Sequence, residues 1–158
     1  MSTGTLPSPL GRVTITAEDG AVTALSWSRL GIDGEAGQAA PADPVLAGAI
    51  AQLTAYFAGD RAAFDLPLRV DGSDLQQQVC AAMAAIPFGE TRTYGDIAND
   101  LGVPAQAIGQ ACGGNPIPII IPCHRVLGVD GLGGFSGSGG IEAKVWLLKH
   151  EGAASLLI

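Results

Sequence analysis

The chain has 158 residues, 47% of them hydrophobic and only 15% charged, which excludes a disordered chain and suits one ordinary domain or two small lobes. There is no apolar run long enough to span a bilayer, and residues 1–10 have neither the basic start nor the apolar stretch of a signal peptide, so the cytoplasm is the expected compartment. A net charge of −7 argues against a strong nucleic-acid binder, because phosphate affinity comes mainly from Lys and Arg. The imbalance is uneven: residues 1–74 hold four basic and nine acidic side chains, residues 75–158 four and six, so the second half is close to neutral.

From the amino end, residues 12–17 and 22–27 are rich in Val, Ile and Thr and read as two strands joined at Asp19-Gly20. Residues 28–44 show no period and read as a loop or linker. Val45, Leu46, Ile50, Leu53 and Phe57 form a helical stripe that Gly59 stops. Residues 60–71 are expected to add one more short strand. These elements make a small α/β lobe with a short antiparallel sheet and a helix, assigned to residues 1–72.

The second lobe is assigned to residues 73–158. Ser73 or Asp74 caps a helix over 75–86, which Pro87, Phe88 and Gly89 end. Thr93 and Asp96 form a capping pair for a helix near 94–101, Gly102 turns the chain, and Pro104 opens a helix that reaches about Cys112. Two short helices joined by a tight glycine turn read as a helix-turn-helix or as an ordinary helical hairpin. Ile119 to Ile121 reads as a buried strand or extended segment. Gly and Ser dominate 128–140, and a last helix over 141–150 shows Ile141, Val145 and Leu148 on one face.

Three widely spaced cysteines, Cys80, Cys112 and Cys123, suggest neither a disulfide framework nor a zinc site, and at least one must be a free thiol. Cys123 is the candidate nucleophile. It follows Pro122 and precedes His124 and Arg125, so an apolar segment delivers a thiol beside an imidazole and a guanidinium, groups that favour the thiolate. In an extended chain Cys123 and His124 would point to opposite faces, so direct contact requires a turn there; contact through a water is the alternative. Glu151 is the best distant candidate to orient the imidazole, Asn115 can hold a turn before Pro116, and Tyr94 heads a helix after a loop.

The string from Asn115 to Ile119, then Ile121 to Val126 with Pro-Cys-His-Arg at its centre, resembles the active-site signature of O6-alkylguanine-DNA alkyltransferases. Phe88, Gly89, Glu90, Thr93 and Tyr94 resemble the segment before that family's first DNA-facing helix. Trp146, Leu147, Leu148, His150, Glu151 and Gly152 resemble its C-terminal helix, and residues 8–11 its opening strand. The resemblance covers most of the chain and is weakest over 28–44.

This resemblance implies an α/β amino-terminal lobe and a mainly helical carboxy-terminal lobe with a winged-helix-like helix-turn-helix set in the minor groove of double-stranded DNA. The target O6-alkylguanine would be flipped into a pocket, and O4-alkylthymine is a further candidate substrate. By position, Cys123 is the alkyl acceptor, His124 its base through a water, Glu151 the orienter of His124 and Asn115 the brace of the cysteine turn. Tyr94 would stand beside the flipped nucleotide and help protonate the departing guanine. Gln106 and Ala107 would face DNA, and a backbone amide at Ser136 or Gly137 would meet the guanine oxygen. The thioether formed is inert, so each molecule acts once, as a monomer and without metal or organic cofactor.

Four departures accompany the match. Gln106 stands where the family usually has an arginine that enters the base stack, and it supplies no charge and less length. Cys80 replaces a tryptophan. The loop over 133–140 differs in length on either side of Phe135, and the zinc-binding residues of some relatives are absent. Two other functions compete with alkyl transfer. A related binding module would recognise alkylated bases and recruit repair factors; such relatives replace the cysteine, which this chain keeps. A cysteine hydrolase using Cys123, His124 and Glu151 would need an oxyanion hole and repeated turnover.

Overall fold

A computed structural model describes residues 1–28, 43–128, 131–132 and 140–153, and they form two compact units, Met1–Arg69 and Val70–Ile158. No helix among the described residues is long and apolar enough to cross a membrane.

The first unit is a three-stranded antiparallel meander, β1 (Ser2–Ser8), β2 (Gly11–Glu18) and β3 (Ala21–Ser28), with helix α1 (Pro44–Phe57) packed on it. Asp19 and Gly20 turn β2 into β3, both with positive φ (52° and 80°), as a tight hairpin whose twist matches its strands requires. Val13, Ile15 and Ala17 alternate inward along β2, but the buried residues of β3 are Val22, Leu25 and Trp27. The break in that alternation follows from a bulge: Ala17 pairs with Val22 and Thr16 with Ala24, so Thr23 is left over and the face of β3 switches. Gly4 marks the closest approach of α1, since a β-carbon there would lie 2.9 Å from Ile50 Cδ1. Asp43 caps α1, accepting from the amides of Val45 and Leu46.

Three expectations for this unit change. β1 pairs with β2 along its whole length, although its sequence gave no strand signal beyond the likeness at its end. The buried stripe of α1 is Leu46, Ala49, Leu53 and Tyr56; Val45, Ile50 and Phe57 flank it, half-buried. Residues 60–69 form no strand: Leu68 makes one isolated bridge to Val22, with Val22 N donating to Pro67 O and Arg69 N to Val22 O. Pro67 has no amide to donate, which limits any longer ladder.

The second unit is built on helices α2 (Asp74–Ala84), α3 (Tyr94–Leu101), α4 (Ala105–Gly113) and α5 (Gly140–His150), with a two-residue parallel pairing of β4 (Arg92–Thr93) and β5 (Val126–Leu127). Ser73 caps α2. Thr93 and Asp96 cap α3 reciprocally, each side chain accepting from the other's amide at 3.0 and 2.9 Å. Gly102 closes α3 with φ 69°, and α4 starts immediately after Pro104, so α3 and α4 make the helix-turn-helix. The core-facing residues of α5 are Ala143, Lys144, Leu147 and Leu148; Ile141 is 42% exposed, so the expected apolar face was set a fraction of a turn away.

Ile119 to Ile121 is buried as expected but is not a strand. Ile121 N donates to Ile117 O and Ile119 has φ 74°, so the segment is a tight turn. Left-handed backbone is costly for a β-branched residue and persists only where surrounding contacts impose it.

Candidate active site

The nucleophile sits in a second turn. Pro122, at φ −81° and ψ 71°, lets Cys123 N donate to Ile121 O across a single residue, an inverse γ-turn. Residues Cys123–Arg125 then wind as one turn of 3₁₀ helix. This local path, rather than an extended one, puts all three side chains in the interior: Cys123 is 6%, His124 0% and Arg125 6% exposed. Asn115 holds the approach. Its Oδ1 accepts from Ile117 N at 3.0 Å and its Nδ2 donates to Ile121 O at 2.8 Å, clasping both ends of the Ile119 turn. The Asn115 side chain also favours the ionised form of the thiol.

Glu151, one residue past α5, has a fully buried side chain. Its Oε2 lies 2.7 Å from His124 Nε2. Arg125 donates to the same carboxylate from Nε (2.8 Å to Oε1) and Nη2 (3.0 Å to Oε2), and from Nη1 to Ile86 O at 2.6 Å. A carboxylate gripped by a guanidinium fork is ionised and can only accept, so Nε2 carries the imidazole hydrogen and Nδ1 keeps its lone pair. Nδ1 is buried with no hydrogen-bond partner among the described residues. Burial holds the His124 pKa below its ordinary value, opposed by Glu151 and reinforced by Arg125 and Lys144. The ring is therefore a neutral imidazole at neutral pH.

Burial also raises the Cys123 pKa, with the Asn115 hydrogen bond and the Lys144 charge pulling the other way. The thiol is protonated at rest. The expectation that the Arg125 guanidinium favours the thiolate does not hold, because that guanidinium is committed to Glu151 and Ile86 O. The cation acting on the thiol is Lys144, which sequence reasoning missed. Lys144 is fully buried, donates to Val126 O at 2.7 Å and lies 5.8 Å from the Tyr94 ring centroid. A lysine one turn into an amphipathic helix normally reads as a surface charge; the only available signal was its i, i+3 and i+4 spacing to Leu147 and Leu148.

Burial lowers the Lys144 pKa to about 8, with Cys123 and Cys112 opposing. A folded-state value below the ordinary 10.5 means that burying the cation costs stability below pH 8, a cost relieved as pH rises toward 10.5. The stability of Lys144→Met relative to the unmodified chain should therefore be greater at pH 7 than at pH 10, with a slope of at most about 1.4 kcal/mol per pH unit. Denaturant melts of both proteins at the two pH values measure this, and equal differences would show that the ammonium does not feel its burial.

Tyr94 opens α3 and is half-buried beside this group; burial raises its phenol pKa, helped by the charges of Cys112 and Cys123. The structure thus gathers Tyr94, Asn115, Cys123, His124 and Glu151 in one place, with Lys144 and Arg125 added. Gln106 and Ala107 occupy the first turn of α4, Gln106 exposed and Ala107 half-buried. No charged residue occurs in α4. Ser136 and Gly137 lie outside the described residues. Among the described residues no cluster of three or more His, Cys, Asp or Glu side chains could hold a metal ion. Cys80 and Cys112 are buried, the latter with Sγ 3.5 Å from Met83 Sδ and its pKa pushed up to about 12 by burial.

The sequence matches the family models "6-O-methylguanine DNA methyltransferase, ribonuclease-like domain" over residues 1–70 and "6-O-methylguanine DNA methyltransferase, DNA binding domain" over residues 74–153. The methylated-DNA–protein-cysteine methyltransferase of Mycobacterium tuberculosis is 43% identical over 150 residues, covering 93% of this chain and 90% of that protein. The constitutive enzyme of the same name from Bacillus subtilis is 40% identical over 158 residues, covering 93% of each. The crystal structure of Mycobacterium tuberculosis OGT in complex with DNA superposes with a TM-score of 0.79 at 41% identity, over 97% of this chain and 95% of that one. The Methanococcus jannaschii O6-methylguanine DNA methyltransferase gives 0.67 at 28% identity, over 98% and 96%. Matched along nearly its whole length in both sequence and fold, the chain belongs to the 6-O-methylguanine DNA methyltransferase family.

Proposed function

We propose that this protein reverses alkylation damage in double-stranded DNA directly, transferring the alkyl group of a flipped O6-alkylguanine irreversibly to Cys123, once per molecule. The observation that carries this reading is the buried Glu151–His124 pair behind Cys123, with the His124 Nδ1 lone pair still available. The thiol proton passes through a bridging water to Nδ1. The thiolate attacks the alkyl carbon in line, the S–C bond forms, the C–O6 bond breaks, and guanine leaves with a proton from Tyr94; solvent then returns both proton carriers to their resting states. Asn115 and Lys144 stabilise the thiolate as it forms. Extrusion of the base costs a few kcal/mol, least for a damaged pair. The protein acts as a monomer in the cytoplasm, and its α4 enters the minor groove. Intact mass spectrometry after incubation with an O6-methylguanine duplex tests the reading: one added methyl per chain is expected, and an unchanged mass would sink it.

Gln106 and the absence of cations on α4 favour keeping recognition without efficient transfer as the second reading. They also predict weak binding to undamaged DNA with a shallow salt dependence. Gln106→Arg adds a charge and a planar head that stacks and reaches phosphates. It should tighten duplex binding roughly two- to fivefold, the range of an exposed ion pair. It should also speed repair in duplex more than transfer from free O6-benzylguanine, which has no stack to leave. Equal acceleration on both substrates would place residue 106 at the pocket instead, and no change on either would remove α4 from the groove.

A further inference from the structure

Arg125 is the one member of the buried network to which alkyl transfer assigns no step. Its guanidinium makes three hydrogen bonds within the protein, two of them to the carboxylate that also holds His124, and it lies 5.9 Å from the Phe88 ring centroid. A buried carboxylate alone with an imidazole draws a proton onto the ring, because the doubly charged pair is neutral overall and the singly charged one is not. Here the guanidinium already balances Glu151. Arginine, glutamate and neutral histidine sum to zero, and protonating the ring would leave a net positive charge in a group that is almost wholly buried.

We propose that Arg125 is a positioning residue whose charge keeps His124 neutral at rest, so that Nδ1 is free to accept the thiol proton, and whose fork aims Glu151 Oε2 at Nε2. The inference rests on the reading of His124 as the base for Cys123. The other groups around the ring agree with it. Lys144, from α5, adds positive charge and so also opposes protonation. Within the turn, the Cys123 thiol is protonated at rest. Helix α2, which packs against the turn, brings the Cys80 thiol and carries no charge except Asp74 at its exposed far end. Among the described residues, then, Glu151 is the anion at the ring and Arg125 is its partner. The tie from Nη1 to Ile86 O fixes the fork to the chain leaving α2, so the carboxylate cannot swing away with the end of α5.

The test uses the full chain with Arg125→Met and Arg125→Lys. The His124 ring is followed by NMR titration in the parent and in each variant before alkylation, and methyl transfer to Cys123 by single-turnover kinetics across the same range. In the parent protein the ring should titrate below the ordinary histidine value, because it is buried beside a cation. Arg125→Met should raise its titration. Transfer should then slow at least about tenfold at the acid end and recover as pH rises, the sign of a base that must first lose a proton. Arg125→Lys keeps the charge without the fork, so its ring should stay neutral while transfer falls by a similar factor at every pH. Should Arg125→Met fail to fold, the double variant Arg125→Met/Glu151→Gln removes both charges together, and its ring should again be neutral. A ring in Arg125→Met that titrates as in the parent, transfer lowered equally at all pH, or a ring in Arg125→Lys that becomes charged would each overturn the proposal. A parent protein that transfers no methyl would instead overturn the function, since the NMR titration reads the ring without any transfer.

Discussion

Cys123→Ser should accept no methyl group from an O6-methylguanine duplex, while the parent chain takes up one and then stops. The expected loss is complete, because nothing else in the site can replace the sulfur. A serine hydroxyl is far less acidic than a thiol, and a neutral imidazole cannot ionise it appreciably for displacement at a saturated carbon. Cys80 and Cys112 are no substitutes: burial raises the pKa of each, and neither has a proton acceptor assigned to it. Peptide mapping of the alkylated parent should place the whole methyl on the peptide containing Pro122 to Arg125. A methyl on the Cys80 or Cys112 peptide would overturn the assignment, and repeated turnover by one molecule would point to a hydrolase.

Glu151→Gln should have the second largest effect, through two separable routes. Losing the anion leaves His124 free to flip its tautomer, and a mispositioned base costs transfer about two to four orders of magnitude. The same change leaves the Arg125 cation buried without its counter-ion, at a stability cost of about 3–5 kcal/mol. The structure therefore requires that transfer be expressed per folded molecule, with a melting curve on the same sample. Binding to an alkylated duplex should stay nearly intact for the folded fraction, since Glu151 lies in the interior. An unchanged rate per folded molecule would make Glu151 a structural carboxylate only.

Much of the fold was legible because local rules and tertiary demands coincide. Asp19-Gly20, the Thr93 and Asp96 pair and Gly102 each satisfy a backbone requirement that few other residues meet, and each turn or cap lies where its residues indicated. β1 was not legible because its apolar positions are too few: Gly4 is buried without a side chain, leaving Leu6 as the one large inward residue. The Ile119–Ile121 run misled for the opposite reason. Three consecutive isoleucines signal burial, but burial does not distinguish a strand from a tight turn pinned by a neighbouring asparagine. Within the candidate site, Cys123 and His124 stood out by adjacency. Glu151 lies 27 residues further on, a spacing without meaning unless the end of a distant helix is known to return to the turn, so it stood as no more than the best distant candidate until the family likeness supported it. Lys144 was missed and Arg125 misjudged because sequence shows a charge but not what surrounds it.

The burial of all three thiols has a consequence for a protein that spends itself in a single event. Every molecule made is a finite stock, and each encounter with an oxidant or a stray electrophile could waste it. The sulfur of a cysteine that is 6% exposed and protonated at rest is slow toward reagents arriving from solvent. Its reactivity depends on a guest that reaches the sulfur and presents its carbon in line. Shelf life and selectivity are therefore one property here, set by the depth at which the turn after Pro122 leaves the sulfur.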